Sequence, residues 1–341
     1  MSIQIIRPGL LTTVQDEGRI GYRRYGVPVG GSMDMFAARA ANILVGNSRH
    51  DAVLEITMSG PELKMQTNQL ISLCGADLSA TVDRQPVPLW RPVLLRAGSV
   101  LKFGACRHGL RAYLAFAGGI DVPEVMGSRS TDVKTGFGGF HGRALRAADA
   151  LDAGGISYEV QQWISVMEMQ LGDNQTMVAP AWFLSEKERP DYYEKPVIRV
   201  MQGQDYSYFR EESLKIFFSE NYMISPHSDR MGYRMQGSRL ELDGPLHRLS
   251  EAVTFGTVQV PADGQPIVLM ADHQTIGGYP VIAQVATVDL PILAQVRPGS
   301  RISFAEITHD EARDLYILRE RNLRLLDQLI RRKMAEMEVI S

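Results

Sequence analysis

Short apolar segments separated by glycine, proline and aspartate recur along most of this chain. They are rich in β-branched and aromatic residues, and examples are "QLISLCG", "RAYLAFAGG", "KPVIRVMQG", "AVTFGTVQVP" and "PIVLMAD". Segments of this composition form β-strands. Their regular spacing is typical of closed barrels or sandwiches. The sequence therefore predicts a mainly β fold.

The length and one polar segment predict how the chain is divided. A chain of 341 residues corresponds to two domains, at about 150 residues for each. Polar and proline-rich sequence between residues 172 and 196 interrupts the strand pattern and is the best candidate for a linker. We predict a first domain over residues 1–190 and a second over 191–307. "YLAFAGGIDVP" and "IVLMADHQTIGGYP" both join an apolar strand to a glycine pair and a proline, as a duplicated barrel would.

Two helices are predicted near the ends of the chain. The first begins after Ser32 or Asp34, either of which can cap it, and ends at "GN", Gly46 and Asn47. The second occupies residues 308–341, where a Thr and a Glu three residues apart form a capping box and leucines recur at helical spacing. This charged C-terminal helix is either a clasp across the protein or a contact for another protein chain.

Composition and charge exclude several classes of protein. With 45% hydrophobic residues, 22% charged residues and a net charge of -3, the chain lacks the basic excess of a nucleic-acid-binding protein. The N-terminus "MSIQIIRPGLL" does not resemble a signal peptide, and no apolar run approaches the roughly 20 residues of a membrane span. We therefore expect no nucleic acid, no membrane and a cytoplasmic location. Cys74 and Cys106 are expected to be reduced thiols.

Familiar motifs for nucleotide, metal and nucleophile are missing from the sequence. "GFGGFHGR" fits neither the phosphate-loop spacing nor the dinucleotide spacing, and there is no H-E-x-x-H or G-x-S-x-G motif. We expect no metal and no firmly bound cofactor in this chain.

The stretch "ADHQTIGGYP", residues 271–280, packs several polar groups between two apolar strands. Gln274 and Thr275 supply neutral donors and acceptors, Gly277 and Gly278 permit a tight turn or a close approach, and Tyr279 supplies an aromatic wall. This chemistry suits a small amide or ureido group. The alternative is a strand-to-strand turn whose polar side chains bond the loop backbone.

A second stretch, "PHSDRMGYRMQG", places Asp229 beside Arg230 and shortly before Tyr233. The arginine could hold a carboxylate while the aspartate orients a nucleophile or accepts a proton. An Asp–Arg pair that satisfies itself at the surface is the alternative.

A further cluster of polar residues is predicted in the first half of the chain. Glu55 lies between two apolar residues, so we expect it to point away from the core, toward a partner or solvent. "GSRST" is a plausible anion-binding loop with one guanidinium and two hydroxyls, although such a loop can also be purely structural. The predicted members of this cluster are Asp16, Arg19, Met33, Asp34, Glu55, Arg129, Ser130 and Thr131.

Several long blocks carry a resemblance to a known family. "GLLTTVQDEGRIGYRRYGVPVGGSMD", "GSRSTDVKTGFGGFHGRAL", "SDRMGYRMQGSRL" and "VQVPADGQPIVLMADHQTIGGYP" resemble, in order and over nearly the whole chain, the family of 5-oxoprolinase C subunits and the KipI antagonist. This family is also called allophanate hydrolase subunit 2, and it is similar to part of the carboxyltransferase region of biotin-dependent urea carboxylase. Two departures stand out: Gln204 replaces a frequent proline, and Ala148 stands where a glycine is expected.

The resemblance implies a mainly β chain of two cyclophilin-like β-barrel domains with a few helices and a long C-terminal helix. It implies the C subunit of an ATP-dependent 5-oxoprolinase, which helps to hydrolyse 5-oxoproline to glutamate together with the A and B subunits, the latter being KipI-like. The chain alone is then expected to be inactive. Two alternatives remain: a KipI antagonist that regulates a kinase inhibitor, and a carboxyltransferase subunit that uses biotin.

Together with the resemblance, the polar stretches give a definite set of predicted site residues. The predicted catalytic residues are Asp229, Arg230 and Asp272. The predicted substrate-binding residues are Gln259, His273, Gln274, Thr275, Gly277, Gly278, Tyr279 and Tyr233. The hydrogen-bonding pattern does not distinguish a lactam from urea or biotin, since each offers a carbonyl acceptor and an N–H donor.

Overall fold

The chain forms two compact units in a computed structural model that describes residues 2–192, 195–246 and 249–338. The first unit contains residues 2–18, 34–189 and 320–338, and the second contains Arg19–Met33 and residues 190–319. The short segment Arg19–Met33 thus joins the second unit, and the C-terminal helix contributes to both. The predicted linear division into 1–190, 191–307 and 308–341 includes neither feature.

The first unit is built from two six-stranded sheets. The strands are β1 Ser2–Arg7, β2 Leu11–Gln15, β3 Val53–Thr57, β4 Glu62–Met65, β5 Gln69–Asp77, β6 Thr81–Val82, β7 Gln85–Pro86, β8 Pro92–Leu95, β9 Val100–Lys102, β10 His108–Phe116, β11 Ala150–Asp152 and β12 Met177–Val178. Their orders in the two sheets are β11-β1-β4-β9-β6-β7 and β12-β8-β5-β10-β3-β2. Ile3 and Leu63 of one sheet and Leu54 and Leu114 of the other belong to a single buried core.

Two helices belong wholly to the first unit, α1 (Met35–Leu44) and α2 (Tyr158–Gln170). Asp34 caps α1, because its carboxylate accepts a hydrogen bond of 2.9 Å from the backbone N–H of Ala37. The apolar face of α1 packs on β5 and β10. The predictions that Asp34 can cap this helix and that the helix covers a sheet are confirmed.

The second unit contains a closed seven-stranded barrel and a separate pair of strands. The strands are β13 Val197–Gln202, β14 Tyr222–Ile224, β15 Gly232–Gln236, β16 Glu251–Ala252, β17 Thr257–Gln259, β18 Ile267–Leu269, β19 Ile276–Gly277, β20 Val281–Val285 and β21 Arg301–Glu306. The barrel order is β13-β20-β17-β18-β15-β14-β21, β16 pairs with β19, and among the described barrel pairings only β13–β21 is parallel.

Three more helices complete the described chain: α3 (Glu211–Ser219), α4 (Leu290–Ala294) and the long α5 (His309–Glu338). Thr308 and Glu311 form the predicted capping box at the start of α5, with reciprocal bonds of 3.2 and 2.9 Å. No helix in the described ranges has the length and apolarity needed to cross a membrane. The mainly β fold class, with a closed barrel, few helices and a long C-terminal helix, is confirmed.

Candidate functional site

The loop of residues 271–280, which we call the amide loop, lies between β18 and β20 of the barrel unit. Backbone hydrogen bonds hold it at its start and in its middle: the N–H of Asp272 donates to the carbonyl of Arg230 at 2.8 Å, and the N–H of Val253 donates to the carbonyl of Thr275 at 3.2 Å. Its strand β19 also pairs with β16. The amide loop is therefore fixed to its own unit by backbone hydrogen bonds.

Arg230 and Asp272 form a mostly buried ion pair with two hydrogen bonds at the start of this loop. The guanidinium donates to both carboxylate oxygens of Asp272, at 2.7 and 2.9 Å, and to the carbonyl of Gly31 at 2.6 Å. Arg230 is only 8% exposed. Because two carboxylate oxygens and a carbonyl already occupy its guanidinium, Arg230 positions Asp272 and the loop in this structure.

Asp229 and Tyr233 have different surroundings. The exposed Asp229 accepts hydrogen bonds from the backbone N–H groups of Met231 and Gly232, at 2.8 and 3.2 Å. Tyr233 is 2% exposed and belongs to the barrel core, with its hydroxyl 3.5 Å from the carbonyl of Ala294. Asp229 thus stabilises its own turn, and Tyr233 fills the barrel.

His273 is buried inside the amide loop and is held in one tautomer. Its Nδ1 lies 2.6 Å from the carbonyl oxygen of Gln274. Since a carbonyl can only accept, Nδ1 carries the proton and Nε2 keeps its lone pair. Burial lowers the pKa of His273; the positive charge of Arg23 acts in the same direction, whereas the bond to Gln274 and the charge of Asp272 oppose it. The imidazole is therefore a neutral acceptor at physiological pH.

Gln274 and Thr275 present unused polar groups at the surface of the loop. Both residues are partly exposed, and their side chains make no hydrogen bond to any residue in the part of the chain that the structure describes. The alternative of a purely structural turn requires these side chains to bond the loop backbone. Tyr279, in the same loop, is 51% exposed. The loop therefore carries a donor, acceptors and an aromatic ring at its surface.

Gln259 supports the amide loop from inside the barrel. It is 1% exposed, and its amide nitrogen donates to the carbonyl of Tyr279 at 3.2 Å. A Cβ atom at Gly277 would lie 2.6 Å from that same nitrogen, whereas one at Gly278 would meet only the Ser250 hydroxyl, at 3.3 Å. Gly277 is thus needed for a close approach rather than for an unusual backbone angle.

The predicted anion-binding loop of the first unit already binds a carboxylate of the same chain. Asp16 accepts hydrogen bonds from the Ser128 hydroxyl at 2.7 Å, the Arg129 N–H at 2.5 Å and the Ser130 hydroxyl. The Arg129 guanidinium pairs with Glu124 at 2.8 Å. This arrangement orders the loop of residues 128–130 around Asp16.

Glu55 is buried, which corrects one expectation. Its neighbours Leu54 and Ile56 face the core as predicted, but Glu55 itself is 1% exposed and accepts a 2.8 Å hydrogen bond from the Tyr113 hydroxyl. The expectation that Glu55 faces a partner or solvent is wrong, because α1 packs on this sheet. Burial raises the pKa of Tyr113, and the charge of Glu55 raises it further.

The remaining members of the predicted first-half cluster fall in different units. Asp34 caps α1 and its N–H donates to the Tyr113 hydroxyl at 2.7 Å, within the first unit. Arg19 and Met33 belong to the second unit, where both are at most 1% exposed and Met33 is part of the barrel core.

Arg23 is a candidate site residue that the sequence analysis did not identify. It begins a short 3-10 turn, Arg23–Tyr25, and its guanidinium donates to the carbonyl of Val253. Val253 in turn bonds the amide loop at Thr275. The available signal was the arginine pair in "GYRRYG", a basic doublet in a segment otherwise rich in glycine and apolar residues.

The fold is mainly β, and a loop of its closed-barrel unit carries partly exposed amide and hydroxyl side chains. The chain belongs to the family of carboxyltransferase domains, subdomains A and B, whose family model matches residues 25–306. It is 38% identical over 319 residues to the 5-oxoprolinase C subunit of Haemophilus influenzae, with 94% of each chain covered. The 5-oxoprolinase C subunit of Escherichia coli is 39% identical over 310 residues, covering 91% of this chain and 93% of that one.

A solved structure extends the comparison to three dimensions. The crystal structure of Kluyveromyces lactis urea amidolyase matches 95% of this chain with a TM-score of 0.84 and 29% identity. That match covers only 20% of the urea amidolyase chain. The relative is therefore a much longer protein that contains a region of this fold.

Proposed function

We propose that this chain is the C subunit of an ATP-dependent 5-oxoprolinase, in which its amide loop binds the lactam. The observation that carries the proposal is the extent of the match to two bacterial 5-oxoprolinase C subunits, at least 91% of each chain at 38% and 39% identity. The longer urea amidolyase is matched over only a fifth of its length. The two bacterial C subunits, which are matched over almost their whole length, are therefore the better counterparts.

The chemistry of the amide loop supports a lactam as the ligand. A lactam presents one carbonyl acceptor and one N–H donor on adjacent atoms, and the side-chain amide of Gln274 offers the complementary donor and acceptor. Thr275 adds a hydroxyl, and neutral His273 is held with its Nδ1 proton directed at the loop backbone. These neutral side chains can hydrogen-bond to the carbonyl and the N–H of an amide without bringing a net charge to it.

Opening a lactam requires activation, which we assign to the partner subunits. An amide carbonyl is a poor electrophile until its oxygen is phosphorylated. One water molecule can then open the ring to an amine and an acyl phosphate, and a second hydrolyses the acyl phosphate to glutamate and phosphate. Because the sequence contains no phosphate-loop motif, we assign nucleotide handling to the partner A and B subunits, the latter being KipI-like. The isolated chain is then inactive.

Carboxyl transfer is a second candidate, favoured by the family match and by the TM-score of 0.84 to urea amidolyase. The ureido ring of biotin presents the same pairing of a carbonyl with N–H groups as a lactam. Under this candidate the amide loop would bind the biotin ring or urea in place of 5-oxoproline.

Reconstitution tests the proposal. The chain is co-expressed with its cognate A and B subunits, and 5-oxoproline-dependent ATP hydrolysis is measured together with glutamate release. We expect turnover only in the complete mixture and, at micromolar concentration, co-elution with the KipI-like partner. A complete complex without lactam-dependent turnover, or full turnover by this chain alone, contradicts the proposal. Carboxyl transfer from carboxybiotin would instead favour the second candidate.

A further inference from the structure

The proposed contacts of the amide loop bind the carbonyl and the N–H of the lactam, but they provide no cation for the carboxylate of 5-oxoproline. We propose that Arg23 binds this carboxylate and thereby selects an anionic lactam over neutral amides, an assignment that rests on the proposed function above. A guanidinium is well suited to this task, because it presents several N–H donors in a planar fork that matches a carboxylate.

Arg23 is anchored directly beside the amide loop. Its Nη2 donates to the carbonyl of Val253, and the N–H of Val253 donates to the carbonyl of Thr275 at 3.2 Å. The same Val253 has a methyl group 3.2 Å from the position that a Cβ atom at Gly277 would occupy. Val253 therefore lies between Arg23 and two residues of the amide loop, Thr275 and Gly277.

The electrostatics place the charge of Arg23 within reach of the site. Its guanidinium is among the groups that lower the pKa of His273, after the larger effect of burial. Arg23 is also only partly exposed. A charge pair in such surroundings is screened less than one on an open surface.

Two neighbouring arginines are committed elsewhere. Arg230 is bound by both carboxylate oxygens of Asp272 and by Gly31. Arg24 is exposed and its guanidinium lies over the ring of Tyr25, 4.7 Å from the ring centre. The bond from Arg23 to Val253 uses one of the five N–H groups of a guanidinium. Arg23 thus combines an anchored position with remaining donors.

The test measures selectivity in the assembled complex. The efficiency kcat/KM is determined for 5-oxoproline and for its carboxamide, in which a neutral amide replaces the carboxylate. We expect the wild type to prefer the acid by roughly tenfold to a hundredfold. Arg23→Gln should lose that preference through a fall in efficiency for the acid alone, and Arg23→Lys should keep part of it. Arg24→Gln is the matched control and should retain the full preference.

Two results would overturn the assignment of Arg23. If the wild-type complex uses the acid and the carboxamide equally well, that result alone refutes the assignment, without any variant. An Arg23→Gln complex that loses efficiency equally for both substrates would show that Arg23 only supports the fold. If Arg23→Gln does not fold, the wild-type ratio and Arg23→Lys decide the question.

A complete complex with no lactam-dependent turnover would overturn the proposed function and this inference together. An active Arg23→Gln complex with unchanged selectivity overturns only the role of Arg23.

Discussion

The guanidinium of Arg230 donates to both carboxylate oxygens of Asp272, at 2.7 and 2.9 Å, across 42 residues of sequence. The backbone N–H of Asp272 also donates to the carbonyl of Arg230 at 2.8 Å. These bonds join the end of the turn before β15 to the start of the amide loop. The pair thus fixes the position of the start of the amide loop.

Removing one partner of this pair should be strongly destabilising. Asp272→Ala leaves a mostly buried guanidinium without its anion, and we expect the free energy of unfolding to fall by about 3 kcal/mol. Urea denaturation of this chain measures the change. Asp243→Ala is the control, because Asp243 is exposed and its carboxylate makes no hydrogen bond within the described residues. Equal stability of Asp272→Ala and Asp243→Ala would disprove the structural role.

The buried His273 predicts a specific dependence of stability on pH. Its pKa is lowered in the folded state, mainly by burial, so the unfolded chain binds a proton at a higher pH than the folded chain does. The contribution of His273 is therefore complete above its unfolded pKa, near 6.5, and is lost as the pH falls from there toward the folded value. One such proton changes stability by at most about 1.4 kcal/mol per pH unit.

We expect wild type to lose more stability than His273→Gln between pH 7.5 and pH 5.5, as measured by urea denaturation of both proteins. Comparing the two slopes removes the contributions of the other histidines. Identical slopes would mean that His273 titrates equally in the folded and unfolded chains.

Ala148 predicts a stabilising substitution. Its φ angle is +71°, in the left-handed region that favours glycine. Relief of this backbone strain should outweigh the extra flexibility of glycine in the unfolded chain, so Ala148→Gly should raise the free energy of unfolding by about 0.5 to 1 kcal/mol. Ala150→Gly, at an exposed site in β11, should instead lower it. A loss of stability in Ala148→Gly would contradict the backbone assignment.

Local features of the fold were predictable because their signals lie within a few residues. The strand segments, the Asp34 cap and the Thr308–Glu311 capping box each depend on neighbouring positions only. Each of these signals agrees with a strand or a cap in the structure.

Features that depend on distant pairings were not predictable. The carboxylate that fills the 128–130 loop comes from Asp16, 112 residues before Ser128, and Arg23 reaches Val253 across 230 residues. Glu55 stands between two core residues, which is the pattern of a strand with one exposed face. The packing of α1 on this sheet accounts for its burial. Sequence periodicity reports which face a residue occupies, but it does not report what covers that face.

The most direct test of the proposed site concerns Gln274 in the assembled complex. If its amide reads the lactam edge, Gln274→Ala leaves the ligand groups unpaired at about 1 to 3 kcal/mol, or roughly tenfold to a hundredfold in kcat/KM. Its melting temperature should match that of wild type, since the side chain bonds no described residue. Gln328→Ala, an exposed substitution in α5, controls for the change of residue type.

The decisive measurement is therefore 5-oxoproline-dependent ATP turnover, taken together with the melting temperature, for wild type and Gln274→Ala. We predict a large loss of catalytic efficiency at an unchanged melting temperature. Wild-type efficiency with a melting temperature several degrees lower would assign the amide loop to structure and contradict the proposed site.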